Sequence, residues 1–103
     1  MVSHQVTIVS EHFNTAKSAK VIITRESDEG AWSGFYYSVY LYSTDQKVSY
    51  REPILIVYKS IPTVRWKTNT ELYLIANNST ICRYTNVNNT VHDGKPVHIY
   101  LVD

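Results

Sequence analysis

A strict alternation of side-chain character over residues 35–42 constrains this fold more than any other feature. The segment reads Phe-Tyr-Tyr-Ser-Val-Tyr-Leu-Tyr, and its period is two residues, as in a strand, rather than that of a helix. One face would carry Phe35, Tyr37, Val39 and Leu41, and the other would carry Tyr36, Ser38, Tyr40 and Tyr42. The pattern predicts a long, half-buried, central strand with an aromatic and polar outer face.

Other segments of strand length are rich in β-branched and aromatic residues. The longer ones are 19–25, 54–58, 71–76 and 97–102, and the shorter ones are 6–9, 64–67 and 81–85. Clusters of turn-forming residues separate them, at 27–30, 43–46, 77–79, 86–89 and 93–94. Residues 11–18 would form one helical turn at most. We therefore predict an all-β protein with one domain over residues 1–103, a single antiparallel β-sandwich or meander of about seven to eight strands.

Charge and cysteine content make several classes of function less favoured. The formal net charge is +1, so no strong field attracts nucleic acid or an anionic membrane. No segment approaches the ~20 consecutive apolar residues of a membrane span. The single cysteine, Cys82, excludes an intramolecular disulfide and a thiolate metal cage, and we expect it to be a small buried or half-buried hydrophobe.

The amino terminus lacks the basic region and apolar run of a signal peptide. We expect a soluble protein, which is cytoplasmic if the chain is complete as given and extracytoplasmic if a leader has been removed.

The ionisable residues do not have the spacing of a catalytic or metal site. His92 and His98 flank the Asp93-Gly94 turn and could approach each other on paired strands, but solvent-facing strand histidines are the favoured interpretation. We predict a solvated hairpin tip, rather than a calcium loop, for the acidic cluster Glu26, Asp28 and Glu29. The chain has no nucleophile elbow and no phosphate-binding glycine loop. We expect no enzyme activity, no metal and no other cofactor.

Nine tyrosines are the strongest oddity of composition, and six of them lie between residues 36 and 58. Tyrosine can serve a purely structural role in a small sheet, with its ring packed against neighbouring side chains and its hydroxyl in contact with solvent. The sharper hypothesis is a partner-binding stripe of residue types that are enriched at interface hot spots. Its candidate members are Tyr36, Tyr40 and Tyr42, joined by Arg65, Trp66 and Lys67 from a neighbouring strand.

Residues 19–76 also carry a series of short motifs. A Val-Ile-Ile-Thr-Arg strand over 21–25 is followed by Gly30-Ala31 and the Tyr-rich strand 37–42, then by the strand 54–58. The segment ends with Val64-Arg65-Trp66 and the hydrophobic strand 70–75. This order resembles a family of small bacterial β-rich proteins, often exported or lipid-anchored and in part encoded on mobile elements. It departs from that family in the turn over residues 14–20 and in the missing leader. The resemblance implies a β-rich fold and no enzymatic activity.

These observations favour a non-enzymatic protein-binding domain, such as a small inhibitor, immunity or exclusion-type factor of the kind that phages and mobile elements encode. An alternative is a structural or assembly subunit that forms a homo-oligomer through an exposed edge strand, either 54–58 or 97–102. A further alternative is an OB-like binder of nucleic acid or a small ligand, which the near-neutral charge makes less favoured for nucleic acid.

Overall fold

Strands make up every regular element of the described residues, which are 4–28, 34–85 and 90–102 of a computed structural model. In chain order they are β1 (His4–Phe13), β2 (Ala19–Asp28), β3 (Tyr36–Ser43), β4 (Leu55–Tyr58), β5 (Thr63–Thr68), β6 (Glu71–Ile75), β7 (Thr80–Tyr84), β8 (Val91–His92), β9 (Lys95–Pro96) and β10 (His98–Val102). The prediction of an all-β fold is confirmed.

The larger sheet has five strands in the order β1-β2-β3-β4-β7, and all its pairings are antiparallel. Between β1 and β2 the register shifts at Ile8 and Ser10, which leaves Val9 as the extra residue of a β-bulge. Asn14 closes the turn that follows, because its Oδ1 accepts the backbone N–H groups of Ser18 and Ala19 at 2.9 and 3.2 Å.

The smaller sheet has three strands in the order β10-β6-β5. β5 and β6 form an antiparallel pair, whereas β10 runs parallel to β6. A parallel pair needs a long connection, and here the chain visits the larger sheet and the β8–β9 ribbon between β6 and β10. The ribbon turns at Asp93 and Gly94, which both have positive φ (50° and 74°) as a tight hairpin requires.

The core lies between the two sheets. Alternate residues of β2 and β3, among them Val21, Ile23 and Val39, pack in one cluster with Leu72 and Leu74 of β6. Each of these five side chains is at most 1% exposed, and burying a Val, Leu or Ile contributes about 1.5–3 kcal/mol. The period-two pattern therefore forms a sandwich, as the sequence predicts, with Tyr37, Val39 and Leu41 on the core face of β3. Phe35, the fourth residue predicted for this face, lies before β3 and is exposed.

The opposite face of β3 is also covered, which the sequence pattern does not predict. Ile22, Tyr40 and Tyr42 form a second buried cluster on the outer face of the larger sheet. Val48 and Tyr50 of the segment 44–53 pack on this cluster. The expectation of an exposed aromatic outer face is therefore wrong for Tyr40 and Tyr42.

Three further expectations need correction. Glu26 is not part of a solvated tip, because β2 continues past it and its side chain is only 3% exposed. Cys82 lies on the edge strand β7 and is exposed rather than buried. The segment 54–58 is not an edge, because β4 lies between β3 and β7, whereas β10 does lie at an edge. The Gly30-Ala31 motif and the 86–89 turn fall outside the described residues.

Candidate functional site

The six predicted partner-binding residues do not form one surface. Tyr40 and Tyr42 are only 2% and 5% exposed, beneath the segment 44–53. Tyr36 is half-buried, and its ring meets the Tyr58 ring edge-on with the centroids 6.2 Å apart. The other three, Arg65, Trp66 and Lys67, lie on β5 in the smaller sheet. The predicted single stripe is wrong, because β5 does not neighbour β3.

Tyr40 instead belongs to a buried polar network. Its hydroxyl and that of Thr24 each donate a hydrogen bond of 2.6 Å to Glu26 Oε2. Burial, together with the hydrogen bond and the charge of Glu26, raises the pKa of Tyr40 well above its ordinary value of 10. The network places a carboxylate under the outer face of the sheet, where hydrogen bonds offset its loss of water.

Trp66 also has a structural role. Its ring packs against the core between the sheets, and its Nε1–H donates a hydrogen bond of 3.1 Å to the carbonyl of His12. This contact joins β5 of the smaller sheet to the end of β1 in the larger one. Trp66 thus closes one side of the sandwich.

A compact aromatic and basic surface occupies the outer side of the three-stranded sheet. Tyr73 of β6 and Tyr100 of β10 are register partners, and their rings stack with centroids 4.9 Å apart and planes 23° from parallel. On the other side of β6, Arg65 is the register partner of Tyr73. We call this surface the aromatic face and define it as Arg65, Lys67, Tyr73, Ile75, Tyr100 and Val102.

The aromatic face is accessible and carries positive charge. Tyr100 and Val102 are 42% and 43% exposed, while Tyr73 and Ile75 are half-buried. The Lys67 ammonium lies 5.9 Å from the centre of the Tyr73 ring, a cation–π distance. Among the described residues, neither Arg65 nor Lys67 forms an ion pair. Both cations are therefore available to an acidic group from outside.

Sequence reasoning found Arg65 and Lys67 but missed Tyr73 and Tyr100. The alternation of strands 71–76 and 97–102 does place each tyrosine on one face of its own strand. Only the parallel pairing of β6 and β10 brings the two rings together, and this pairing joins strands that are distant in the chain.

A Ser, His and Asp contact lies where the β1–β2 turn meets the ribbon. Ser18 Oγ is 2.7 Å from His92 Nδ1, and His92 Nε2 is 3.3 Å from Asp93 Oδ2. A hydrolytic triad also needs free N–H groups to stabilise an oxyanion. The N–H groups of Ser18 and Ala19 instead donate to the Asn14 side chain. This arrangement fits a structural contact that ties the turn to the ribbon.

The two histidines near the Asp93-Gly94 turn have separate surroundings. His92 is half-buried against Ser18, whereas His98 is exposed and is the register partner of Glu71. In the described part of the chain, no three or more His, Cys, Asp or Glu side chains are placed to hold a metal ion. The same residues contain no helix that is long and apolar enough to cross a membrane.

Comparisons of the chain with protein-family models, with curated proteins and with solved structures gave no match. The resemblance of residues 19–76 to small bacterial β-rich proteins stays a prediction. The site is therefore argued from its own geometry and charge.

Proposed function

We propose that the protein is a non-enzymatic protein-binding domain, of the inhibitor, immunity or exclusion type, and that it holds its partner on the aromatic face. The observation that carries this proposal is the stacked Tyr73 and Tyr100 pair beside Arg65. Tyrosine and arginine dominate interface hot spots, because they bring large contact area and directed hydrogen bonds at low entropic cost.

Charge complementarity indicates what the partner presents. Arg65 and Lys67 border the tyrosine pair and are exposed, and Glu71 at the end of the same sheet already accepts a hydrogen bond of 3.1 Å from Thr68 Oγ1. A partner with an acidic group beside an apolar one would satisfy both the cations and the rings. Such pairing also speeds encounter and selects against basic partners.

Contact through the face is favoured over strand addition at β10. In a parallel edge strand the backbone groups of alternate residues point away from the sheet. His98 N–H bonds toward the β6 side, at Thr70 O, so the neighbouring Ile99 directs its carbonyl to the open edge. The Tyr84 hydroxyl already approaches that carbonyl at 3.4 Å. The open edge therefore offers fewer hydrogen bonds to an added strand than a bare edge would.

Charge reversal tests the proposal. Proteins of the source cell are captured on the wild type, on an R65E/K67E variant and on a control variant. The control carries Lys47→Glu and Lys95→Glu, which reverse the charge of two exposed lysines away from the aromatic face. A captured protein is identified by mass spectrometry and purified, and its affinity for each of the three forms is measured by calorimetry. We expect the control to bind like the wild type and the R65E/K67E variant to bind roughly tenfold or more weakly.

Two outcomes would reject this proposal. Equal binding by both variants would remove the aromatic face as the site. Light scattering that detects a stable dimer, disrupted by R65E/K67E, would show that a second copy occupies the face and would favour an assembly subunit instead.

A further inference from the structure

A separate cleft lies beside the larger sheet, away from the aromatic face. Its volume is about 530 Å³, and its lining includes Tyr42 at the end of β3, Gln46, Ser49, Arg51 and Glu52 of the following segment, and Arg83 of β7. This volume is in the range of small-molecule pockets. Leu41 and Ile54 of the core also line the cleft, so it has an apolar base and polar side chains around it.

The backbone that presents Arg51 to the cleft is held on both sides. Tyr50 has a positive φ of 53°, a conformation that is unfavourable for a bulky non-glycine residue. Its N–H donates to Tyr42 Oη at 2.9 Å, and its carbonyl lies 3.3 Å from Tyr40 Oη. Further on, Ile54 N–H donates to Val39 O at 2.7 Å. The backbone is therefore anchored to the larger sheet on both sides of residues 51–53.

The guanidinium groups of the two arginines in the cleft are available to a ligand. Arg51 and Arg83 are both exposed, and within the described ranges neither guanidinium group forms a hydrogen bond or an ion pair. A guanidinium presents donors in a planar fork that matches a carboxylate or a phosphate. Glu52 is the acidic residue of the lining, so the cleft carries one net positive charge from these three side chains.

We infer that this cleft binds a small organic anion, whose carboxylate or phosphate group lies between Arg51 and Arg83. Glu52 would repel a polyanion such as a nucleic acid strand, and it would accept a hydrogen bond from a hydroxyl or amino group elsewhere on the ligand. Gln46 and Ser49 offer further polar contacts. The preformed backbone at Tyr50 lowers the ordering cost of binding.

Titration with defined anions tests this inference. Amide chemical shifts of the ¹⁵N-labelled protein are followed as citrate or inorganic phosphate is added at constant ionic strength, with chloride as the balancing anion. The two probes separate carboxylate from phosphate recognition. We expect saturable shifts confined to residues 42–54 and 83–85 with at least one of the probes.

Three variants decide whether the arginines carry the binding. Arg51→Gln and Arg83→Gln should each weaken it by roughly tenfold, as loss of a charge-assisted hydrogen bond implies. Arg65→Gln on the other sheet should leave it unchanged. These side chains are exposed, and an unchanged amide spectrum outside the cleft confirms folding. The inference is overturned by the absence of saturable shifts with both probes, by binding that survives both cleft variants, or by equal weakening in all three.

Discussion

Removal of one hydroxyl, by Tyr40→Phe, tests whether the tyrosine-rich strand serves the fold rather than a partner. Tyr40 is 2% exposed, and its hydroxyl donates a 2.6 Å hydrogen bond to the buried Glu26 carboxylate. A hydrogen bond to a charged group contributes about 1.5–3 kcal/mol, and its loss leaves the acceptor short of a donor. We expect the free energy of unfolding to fall by about 2 kcal/mol at neutral pH, which lowers Tm by roughly 10 °C in a domain of this size.

The same substitution should change the response to alkaline pH. Burial and Glu26 keep Tyr40 protonated in the fold above pH 10, whereas it ionises near pH 10 in the unfolded chain. The unfolded state then binds fewer protons, so this group's contribution to stability is complete below pH 10 and declines as the pH rises. Its share of the decline approaches about 1.4 kcal/mol per pH unit in the wild type and is absent from the phenylalanine variant.

Urea unfolding at several pH values between 8 and 11.5 measures both effects. Tyr100→Phe is the matched control, because Tyr100 is 42% exposed and its loss of a hydroxyl should change stability by no more than about 0.5 kcal/mol. A Glu26→Gln variant completes a double-mutant cycle with Tyr40→Phe, which isolates the coupling between the two groups. If Tyr40→Phe is as stable as the wild type, or if both lose stability in parallel above pH 10, the buried network does not exist as described.

Three further substitutions test the fold. Trp66→Phe keeps a ring in the core but removes the donor to His12 O, so we expect a loss of about 1 kcal/mol in urea unfolding; unchanged stability would contradict a role for the indole N–H. Asn14→Ala removes four side-chain hydrogen bonds at a site that is 2% exposed, and a loss of less than about 1 kcal/mol would refute its role in the turn. Lys59 has a φ of 90°, so Lys59→Gly should raise stability by about 1 kcal/mol, whereas Lys59→Ala should not; a gain with alanine alone would contradict the expected strain.

The pattern of residues 35–42 was sufficient to predict β3 and its core face, because alternation alone decides which side chains of a strand lie together. It was not sufficient to predict that Tyr40 and Tyr42 are buried. Their burial depends on Val48 and Tyr50, which pack on the other face of the sheet from a segment without regular alternation. Coverage of a sheet face by a loop leaves no periodic signal in the strand beneath it.

The binding surface shows the same limit at the level of topology. Residue type alone identifies Arg65 and Lys67 as candidate binding residues, but it does not show that they lie in a different sheet from β3. The chain instead enters the second sheet after β4, where β6 pairs with β10 in parallel. Strand order between distant segments is set by the core that forms between the sheets, and local sequence does not specify it.

The aromatic face is tested most directly by amide hydrogen exchange of the protein, free and bound to the partner that charge reversal identifies. Backbone amides of β5, β6 and β10 should exchange more slowly in the complex, with the largest change around Tyr73 and Tyr100. Exchange in β1 and in the segment 44–53 should be unaltered. Protection confined to β1, to the segment 44–53 or to β7 would contradict the account, because it would place the partner on the larger sheet.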